Sequence, residues 1–256
     1  MSTDRTEARG PSPRVGVQLY STKDHLGPEL RGTLRRLAEL GYTDVEPYDV
    51  LGQTDELAAG LAETGLEART AHVKITDLDR DAVLAAARRL GIGTVVVPWV
   101  DKARFATADD VHALATEINE AAAFYADHGI RTGYHNHDFE FSSMIDGRHA
   151  WELLVEALDP AIVLQVDTYW ASVGGADVFA LIPAHLDRIR MLHVKNEPPD
   201  ADDPPARVDI TGRMDEVVAL AAPALELAVV EVVVDGDVFA VLERNRRFFA
   251  ELLEAT

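Results

Sequence analysis

The sequence predicts a single α/β domain of the (β/α)8 class, the TIM barrel. Short apolar runs rich in β-branched residues alternate strictly with amphipathic helical stretches, which implies parallel strands joined by helices. The alternation repeats eight times in 256 residues without a break in composition, and this is the usual size of such a barrel. A doubly wound open sheet is the alternative, but the segment QLYSTKD after the first strand lacks a glycine-rich phosphate turn.

The first residues of the chain are polar and contain proline. We therefore expect a disordered lead-in at 1–13, followed by a barrel at 14–256. Apolar, β-branched runs predict eight strands. They are VGVQLY (15–20), TDVEPY (43–48), EARTAHV (67–73), GTVVVPW (93–99), RTGYHN (131–136), AIVLQVDTY (161–169), IRMLHVK (189–195) and LAVVEVVVDG (227–236).

Leucine and alanine at helical spacing predict a helix after each strand, and glycines or capping residues mark several of the ends. The predicted helices are 28–40, 54–65, 79–90, 107–128, 147–158, 177–186, 214–225 and 237–254. Residues 196–211, rich in proline and aspartate, are expected to form an irregular loop.

Composition narrows the range of functions. The chain has no cysteine, so any metal must be bound by His, Asp and Glu. Its formal net charge of -20 argues against nucleic acid as a partner. There is no apparent signal peptide or membrane span, so we expect a soluble, cytoplasmic protein without a membrane partner.

Polar and ionisable residues recur at the carboxyl ends of the predicted strands, where the catalytic groups of such barrels lie. Charged and imidazole groups rarely occur inside apolar strands without partners, so their repetition at one end predicts a common site. The residues in question are Glu46, His72, Trp99, His135, His137, Glu140, Asp167, Trp170, His193, Lys195, Glu231 and Asp235.

Strand alternation predicts a metal site within this group. If the alternate residues face inward, Asp167, His193 and Glu231 converge on the barrel mouth. Carboxylate and imidazole ligands together suit one divalent ion such as Mn, Co, Mg or Zn. His135 is the fourth ligand by parity, and Glu140 in the following loop is its rival.

Some of these residues also have structural explanations. Asp167 could cap a helix, although Thr168 and the two aromatic residues after it are a poor helix start. His193 could be a hydrogen-bonded core histidine, whereas a carboxylate inside VVEVVV, Glu231, is costly without a partner.

The side chains at the second, third, fourth and sixth strand ends each allow more than one role. Glu46 could neutralise Lys195 or another cation in the barrel, and His72 could support a ligand rather than contact the substrate. Trp99 and Trp170 suit pocket walls, although Trp170 could also pack beneath a loop.

The strand-end motifs resemble the xylose isomerase-like TIM-barrel superfamily, in its sugar phosphate isomerase/epimerase branch. The resemblance extends from about Val15 to Leu253. The pair GYHNHDFEF and QVDTYW is its most specific part. The motifs are GVQLYS, DVEPY, GYHNHDFEF, QVDTYWA, LHVKN and VVEV.

The resemblance implies one divalent metal, held by Glu, Asp, His and Glu from the fifth to the eighth strands. Asp167, His193 and Glu231 match this pattern, but His135 stands where the fifth-strand glutamate is expected. In the epimerases of the family, the two glutamates also act as acid and base. Glu140 or an imidazole must therefore replace one of them here, or the reaction differs.

The expected reaction is metal-assisted proton abstraction next to a sugar carbonyl, through an enediolate that serves isomerisation, epimerisation or elimination. The expected substrate is a small unphosphorylated sugar or polyol, and the protein is a possible homo-oligomer. The catalytic candidates are Glu231, Glu140, His72 and Lys195, which could hold a substrate oxygen. The substrate-binding candidates are Glu46, Trp99, His137 and Trp170.

Three other functions compete with isomerisation or epimerisation. A lyase or dehydratase of the same superfamily would eliminate from a keto-sugar, keto-glycoside or inosose. A catalytically idle sugar-binding barrel would keep the fold and lose the metal. An endonuclease IV-like repair enzyme needs several metals and a basic DNA face, which the net charge of -20 opposes.

Overall fold

The computed structural model describes residues 13–26, 29–194 and 211–255. Eight parallel strands form one sheet with helices in the connections, and this confirms the predicted TIM barrel. The barrel strands are β1 (Arg14–Gln18), β2 (Asp44–Glu46), β3 (Thr70–His72), β4 (Thr94–Val97), β5 (Arg131–His135), β8 (Val163–Asp167), β9 (Ile189–Val194) and β10 (Leu227–Val230). Their order in the sheet is β2-β1-β10-β9-β8-β5-β4-β3.

The sheet is nearly closed, because its two outer strands, β2 and β3, also approach each other. Asp44 and Glu67 form a parallel bridge, and the amide of Val45 donates to the carbonyl of Glu67 over 2.9 Å. Further along, the His72 amide donates to the Pro47 carbonyl over 2.8 Å. These contacts bring Glu46 and His72 to the same end of the barrel as the other strand ends.

Helices cover the outside of the barrel, and most of their bounds fall within a few residues of the sequence-based prediction. Glycines in the left-handed conformation end α2 and α3. The helices are α1 (Leu30–Glu39), α2 (Thr54–Thr64), α3 (Arg80–Leu90), α4 (Ala108–Ala126), α5 (Phe139–Ser142), α6 (Ala150–Ala157), α7 (Thr168–Gly174), α8 (Val178–Ala184), α9 (Met214–Ala221) and α10 (Val238–Ala255). None of the helices in the described ranges is long and apolar enough to cross a bilayer.

Three segments differ from the predicted secondary structure, and the simplest case is the eighth strand, which ends at Val230 rather than at Gly236. The connection after β5 contains the short helix α5 and a hairpin of β6 (Met144–Ile145) and β7 (Arg148–His149). The predicted sixth strand stops at Asp167, and helix α7 starts at once with Thr168, although the sequence there is a poor helix start. The cause is local: Asp167 caps α7, and that hydrogen bond outweighs the weak helix propensity of the residues after it.

The predictions for the lead-in at 1–13 and the irregular loop at 196–211 fall largely outside the described residues.

The interior of the barrel has two layers, as the alternation of strand residues requires. The lower, apolar layer consists of Val96, Val163, Met191, Leu227 and Val229. One step further toward the carboxyl ends lies a polar layer: Gln18, Glu46, Thr70, His72, His135, Gln165 and His193, all buried. The pocket at the barrel mouth opens above this polar layer.

Gly174, the last residue of α7, allows that helix to lie against the loop that carries the HNHD motif. A Cβ atom at Gly174 would overlap the carbonyl oxygen of Asp138 and lie 2.7 Å from Phe141 Cβ. Gly32 in α1 is the opposite case, because a Cβ there would meet nothing within 4 Å.

We predict that Gly174→Ala lowers the free energy of unfolding by ~1–3 kcal/mol, the usual cost of overpacking. Gly32→Ala should raise it by ~0.5–1 kcal/mol, because alanine loses less backbone entropy in a helix. Urea titrations of both variants measure these changes. A fall of equal size in the two variants would contradict the assigned contact.

Candidate active site

A pocket opens at the carboxyl ends of the barrel strands. Three of the residues that line it belong to strands, Asp167 to β8 and His193 and Val194 to β9, and the others follow strands directly or within a few residues. The lining side chains are Tyr20, His137, Asp167, Tyr169, Trp170, His193, Val194, Glu231 and Val233. The pocket is therefore walled by aromatic rings and has carboxylates and imidazoles at its base.

Four side chains at this base have the geometry of a metal site. His135, Asp167, His193 and Glu231 each offer one ligand atom, and these atoms all lie within 4.8 Å of one another. Two imidazoles and two carboxylates form a donor set that suits a divalent transition ion. The residues present therefore fit the metal that the resemblance implies.

His193 lies between two carboxylates. Its Nδ1 is 2.9 Å from Glu231 Oε2, and its Nε2 is 2.8 Å from Glu46 Oε1. Burial alone would lower the pKa of His193, but the hydrogen bonds to Glu231 and Glu46 raise it to about 10. Both ring nitrogens therefore carry protons, and the proton on Nδ1 lies on the side where the candidate ligands converge.

Glu46 lies at the centre of the polar layer and is 1% exposed. Burial alone would raise its pKa, but His72 and His193 hold the pKa well below the usual range. Its carboxylate accepts hydrogen bonds from Gln18 Nε2 and Gln165 Nε2, and from the hydroxyl of Thr70. The predicted role of Glu46 in substrate binding stays a prediction.

His135 and His72 contact the same acceptor. The Oε1 atom of Gln165 is 3.1 Å from His135 Nδ1 and 2.8 Å from His72 Nε2. Burial, followed by the neighbouring imidazoles of His193 and His72, holds the pKa of His135 well below its usual range, so this ring is neutral.

A second set of possible ligands, His72, His135 and His193, lies deeper in the barrel. Nitrogens of all three rings already bond to Glu46 or Gln165. The set nearer the mouth offers the carboxylates of Asp167 and Glu231 in addition, and we regard it as the better metal site.

Asp167 has two structural contacts. Its Oδ1 accepts from the Trp170 amide over 2.8 Å and so caps α7. Asn136, fully buried, fixes its backbone: the Asp167 amide donates to Asn136 Oδ1 over 2.9 Å, and Asn136 Nδ2 donates to the Asp167 carbonyl over 3.1 Å. The helix cap that the sequence allowed is therefore present, and it orients the carboxylate rather than replacing its predicted role as a ligand.

His137 lines the pocket beside Trp170. Its ring stacks on Phe139 at an interplanar angle of 2° and a centroid distance of 5.5 Å. Burial lowers the pKa of His137 to about 4, so the ring is neutral, and its Nδ1 has no hydrogen-bond partner among the described residues.

Glu140 lies behind the loop and is not part of the lining formed by the described residues. It is 1% exposed and accepts from the Tyr134 hydroxyl over 2.8 Å and from the His137 amide over 3.0 Å. Burial raises its pKa to about 8. Its observed contacts hold the His137 loop, and its catalytic role stays a prediction.

The remaining predicted residues lie at the rim or outside the described chain. Trp170 lines the pocket, whereas Trp99 is 45% exposed and its ring lies 5.3 Å from the ammonium of Lys74. Lys195 directly follows β9 and falls outside the described residues. Strand-end reasoning missed Tyr20, although the motif GVQLYS places it just after β1, where pocket residues are expected.

Fold and site together define a (β/α)8 barrel with a carboxylate–imidazole centre at its mouth. The chain belongs to the xylose isomerase-like TIM barrel family, whose profile matches residues 34–215. This confirms the resemblance drawn from the strand-end motifs. No curated protein sequence matches the chain.

Several solved structures share the whole fold. A sugar phosphate isomerase/epimerase from Parabacteroides distasonis is 21% identical, with 97% of each chain covered and a TM-score of 0.77. A probable 3-DHS dehydratase from Bacillus anthracis is 14% identical over 93% of this chain and 98% of its own, with a TM-score of 0.69. A 3-keto-D-glucoside 4-epimerase from E. coli is 16% identical over 94% and 98%, with a TM-score of 0.65.

The raised pKa of Glu140 makes stability depend on pH. The folded protein keeps the Glu140 proton up to about pH 8, whereas the unfolded chain loses it near pH 4.5. Glu140 therefore stabilises the fold fully below about pH 4.5, and this contribution is lost as pH rises toward 8, by up to ~1.4 kcal/mol per pH unit.

The comparison with Glu140→Gln isolates this effect, because glutamine stays neutral. We predict that the free energy of unfolding of the wild type, minus that of the variant, falls steadily from pH 5 to pH 8. Urea titrations at several pH values across this range measure it. A difference that stays constant would show that Glu140 is ionised in the folded protein.

Proposed function

We propose that this protein is a metal-dependent isomerase or epimerase of small sugars or sugar derivatives. The observation that carries the proposal is the convergence of the buried His135 with Asp167, His193 and Glu231, which line the pocket. The structural neighbours, which include an isomerase/epimerase and a 4-epimerase, support the same reaction class. A cytoplasmic location and a homo-oligomer stay predictions from the sequence.

A divalent ion held by these four residues would polarise a substrate carbonyl and stabilise negative charge on its oxygen. Glu46 prepares His193 for this role, because the Nε2–H donated to Glu46 leaves Nδ1 as the ligand nitrogen once its proton is lost. Glu46 is thus the carboxylate that accepts the second N–H of His193, a contact that metal-binding histidines usually have.

The chain's own groups would carry out the proton transfer. Glu231 is partly exposed in the pocket and its carboxylate takes the proton from the carbon next to the carbonyl, while the C–H electron pair enters an enediolate. Return of a proton to the opposite face gives the epimer, and return to the neighbouring carbon gives the isomer. His137 and Trp170 line the pocket side by side, contact the sugar ring and exclude water from it.

Elimination is the second candidate, and one observation favours it. Glu231 is the carboxylate in the described lining that we assign as base, because Asp167 caps α7 and His135 stands where the family's fifth-strand glutamate is expected. A one-base reaction, in which the enediolate expels a β-substituent, needs no second carboxylate. The dehydratase among the structural neighbours supports elimination.

The catalytically idle sugar-binding barrel is separated from both enzymes by metal binding. We predict that the purified protein binds about one equivalent of Mn, Co, Mg or Zn and that its melting temperature rises with the metal concentration. Less than a tenth of an equivalent of any of these ions, with no rise in melting temperature, would refute the enzyme proposal.

Asp167→Asn and Asp177→Asn form a matched pair for this test. Both residues cap helices of seven residues, and asparagine caps about as well as aspartate, so both variants should keep the wild-type stability. Titration calorimetry should show at least ~10-fold weaker metal binding for Asp167→Asn and wild-type binding for Asp177→Asn. Equal affinities in the two variants would remove Asp167 from the ligand set.

The reaction itself is tested by exchange of carbon-bound hydrogen in heavy water, with a panel of ketoses, keto-glycosides and inososes. At saturating metal, Glu231→Gln should slow exchange by ~10²–10⁴-fold, the usual contribution of a general base. Glu226→Gln is the control, because Glu226 immediately precedes β10, at the opposite end of the barrel, and pairs with Arg131. Exchange that persists in Glu231→Gln would assign the base to another residue.

A further inference from the structure

One chain of hydrogen bonds runs beneath the pocket, from Glu46 through Gln165 to the imidazoles of His135 and His72. We propose that Gln165, oriented by Glu46, is a positioning residue that fixes the tautomer of His135; His72 Nε2 has a second acceptor, Glu46 Oε1, 3.0 Å away. The inference deepens the proposed function, since it rests on the assignment of His135 to the metal site. It assigns a role to a residue that strand-end motifs alone do not single out.

The orientation of the Gln165 amide is set by Glu46. A buried carboxylate can only accept hydrogen bonds, so Gln165 must turn its NH2 group toward Glu46 Oε2, 2.8 Å away. Gln165 is fully buried, and water does not compete for these atoms. The opposite orientation would place two acceptors against each other.

The fixed amide then dictates the protons on the two rings. With its nitrogen committed to Glu46, Gln165 presents Oε1, a pure acceptor, to His135 Nδ1 and His72 Nε2. Each of these nitrogens must therefore carry a hydrogen. A neutral imidazole has one N–H, so the lone pair of His135 is confined to Nε2, the nitrogen left for a ligand.

The glutamine at position 18 provides a natural control. Gln18 is also fully buried and also donates to Glu46, over 2.9 Å, but its Oε1 accepts from the Tyr20 amide rather than from an imidazole. Loss of Gln18 removes one donor from Glu46 and leaves the contact between Gln165 and the rings in place.

Long-range 1H–15N correlation spectra of the metal-free protein, with 15N-labelled histidine, report each tautomer directly. We expect His135 to be purely the Nδ1–H form in the wild type and in Gln18→Met. In Gln165→Met it should become a mixture, and affinity for Co²⁺ or Zn²⁺ should fall by ~10–100-fold, the usual effect of removing an outer hydrogen bond to a ligand. In Gln18→Met we expect the affinity for the same ions to fall by less than ~3-fold.

Glu46→Gln is a near-isosteric second variant. It tests the same inference if the Gln165→Met protein does not fold. Residue 46 then offers an amide, the Gln165 group is free to turn over, and His135 should gain the Nε2–H form. An unchanged His135 spectrum in both variants, with metal affinity within ~2-fold of the wild type, would overturn the role of Gln165.

The same experiments separate this inference from the proposed function. A tautomer that changes as expected in a protein that binds no metal would support the role of Gln165 and refute metal-dependent catalysis. If the protein binds metal but the His135 tautomer does not change in Gln165→Met, the metal site would be supported and the role of Gln165 refuted.

Discussion

The charge on Glu46 is the constraint on which the upper half of the barrel depends. A carboxylate removed from water loses several kcal/mol of solvation, which only close donors can offset. Glu46 has donors from strands β1, β3, β8 and β9 within 3.0 Å. The strands that meet at the centre are thus held by one buried charge, and the polar layer forms as a unit.

This charge also explains how the site keeps its shape before a metal binds. Between Glu46 and Glu231, the ring of His193 carries two protons and one positive charge. The proton on Nδ1 occupies the place of a cation among ligands that would otherwise repel one another. A divalent ion held by these residues would take the place of the Nδ1 proton, and His193 would keep its Nε2–H contact with Glu46.

Much of the fold and part of the site could be predicted because they depend on periodicity. Alternation along each strand places Asp167, His193 and Glu231 at one mouth, and the family profile agrees with the motifs. The loop after β5 and helix α7 were less predictable, since they depend on a few side-chain hydrogen bonds. These are the Asp167 cap and the two bonds from Asn136 to the Asp167 backbone, which extend the pairing of β5 and β8.

The role of Gln165 was not predictable from chain periodicity, yet the sequence held a signal for it. Gln18 in VGVQLY and Gln165 in VLQVD are amides at inward positions of otherwise apolar strands, where an unpaired polar group is costly. The partners of those amides lie on other strands, 28 and 119 residues away for Glu46. Pairing across such separations becomes visible only when the barrel is assembled.

The same network accounts for the histidine at position 135, the departure from the family pattern. Gln165 cannot turn its NH2 group toward the fifth strand without abandoning Glu46, so residue 135 always faces an acceptor. A glutamate there would place a carboxylate against the amide oxygen, whereas the Nδ1–H of an imidazole satisfies it. The motifs HNH and QVD are thus physically coupled: with glutamine at 165, the imidazole of His135 satisfies an acceptor that a glutamate would repel. The missing carboxylate at position 135 is then explained by the amide of Gln165 beneath it.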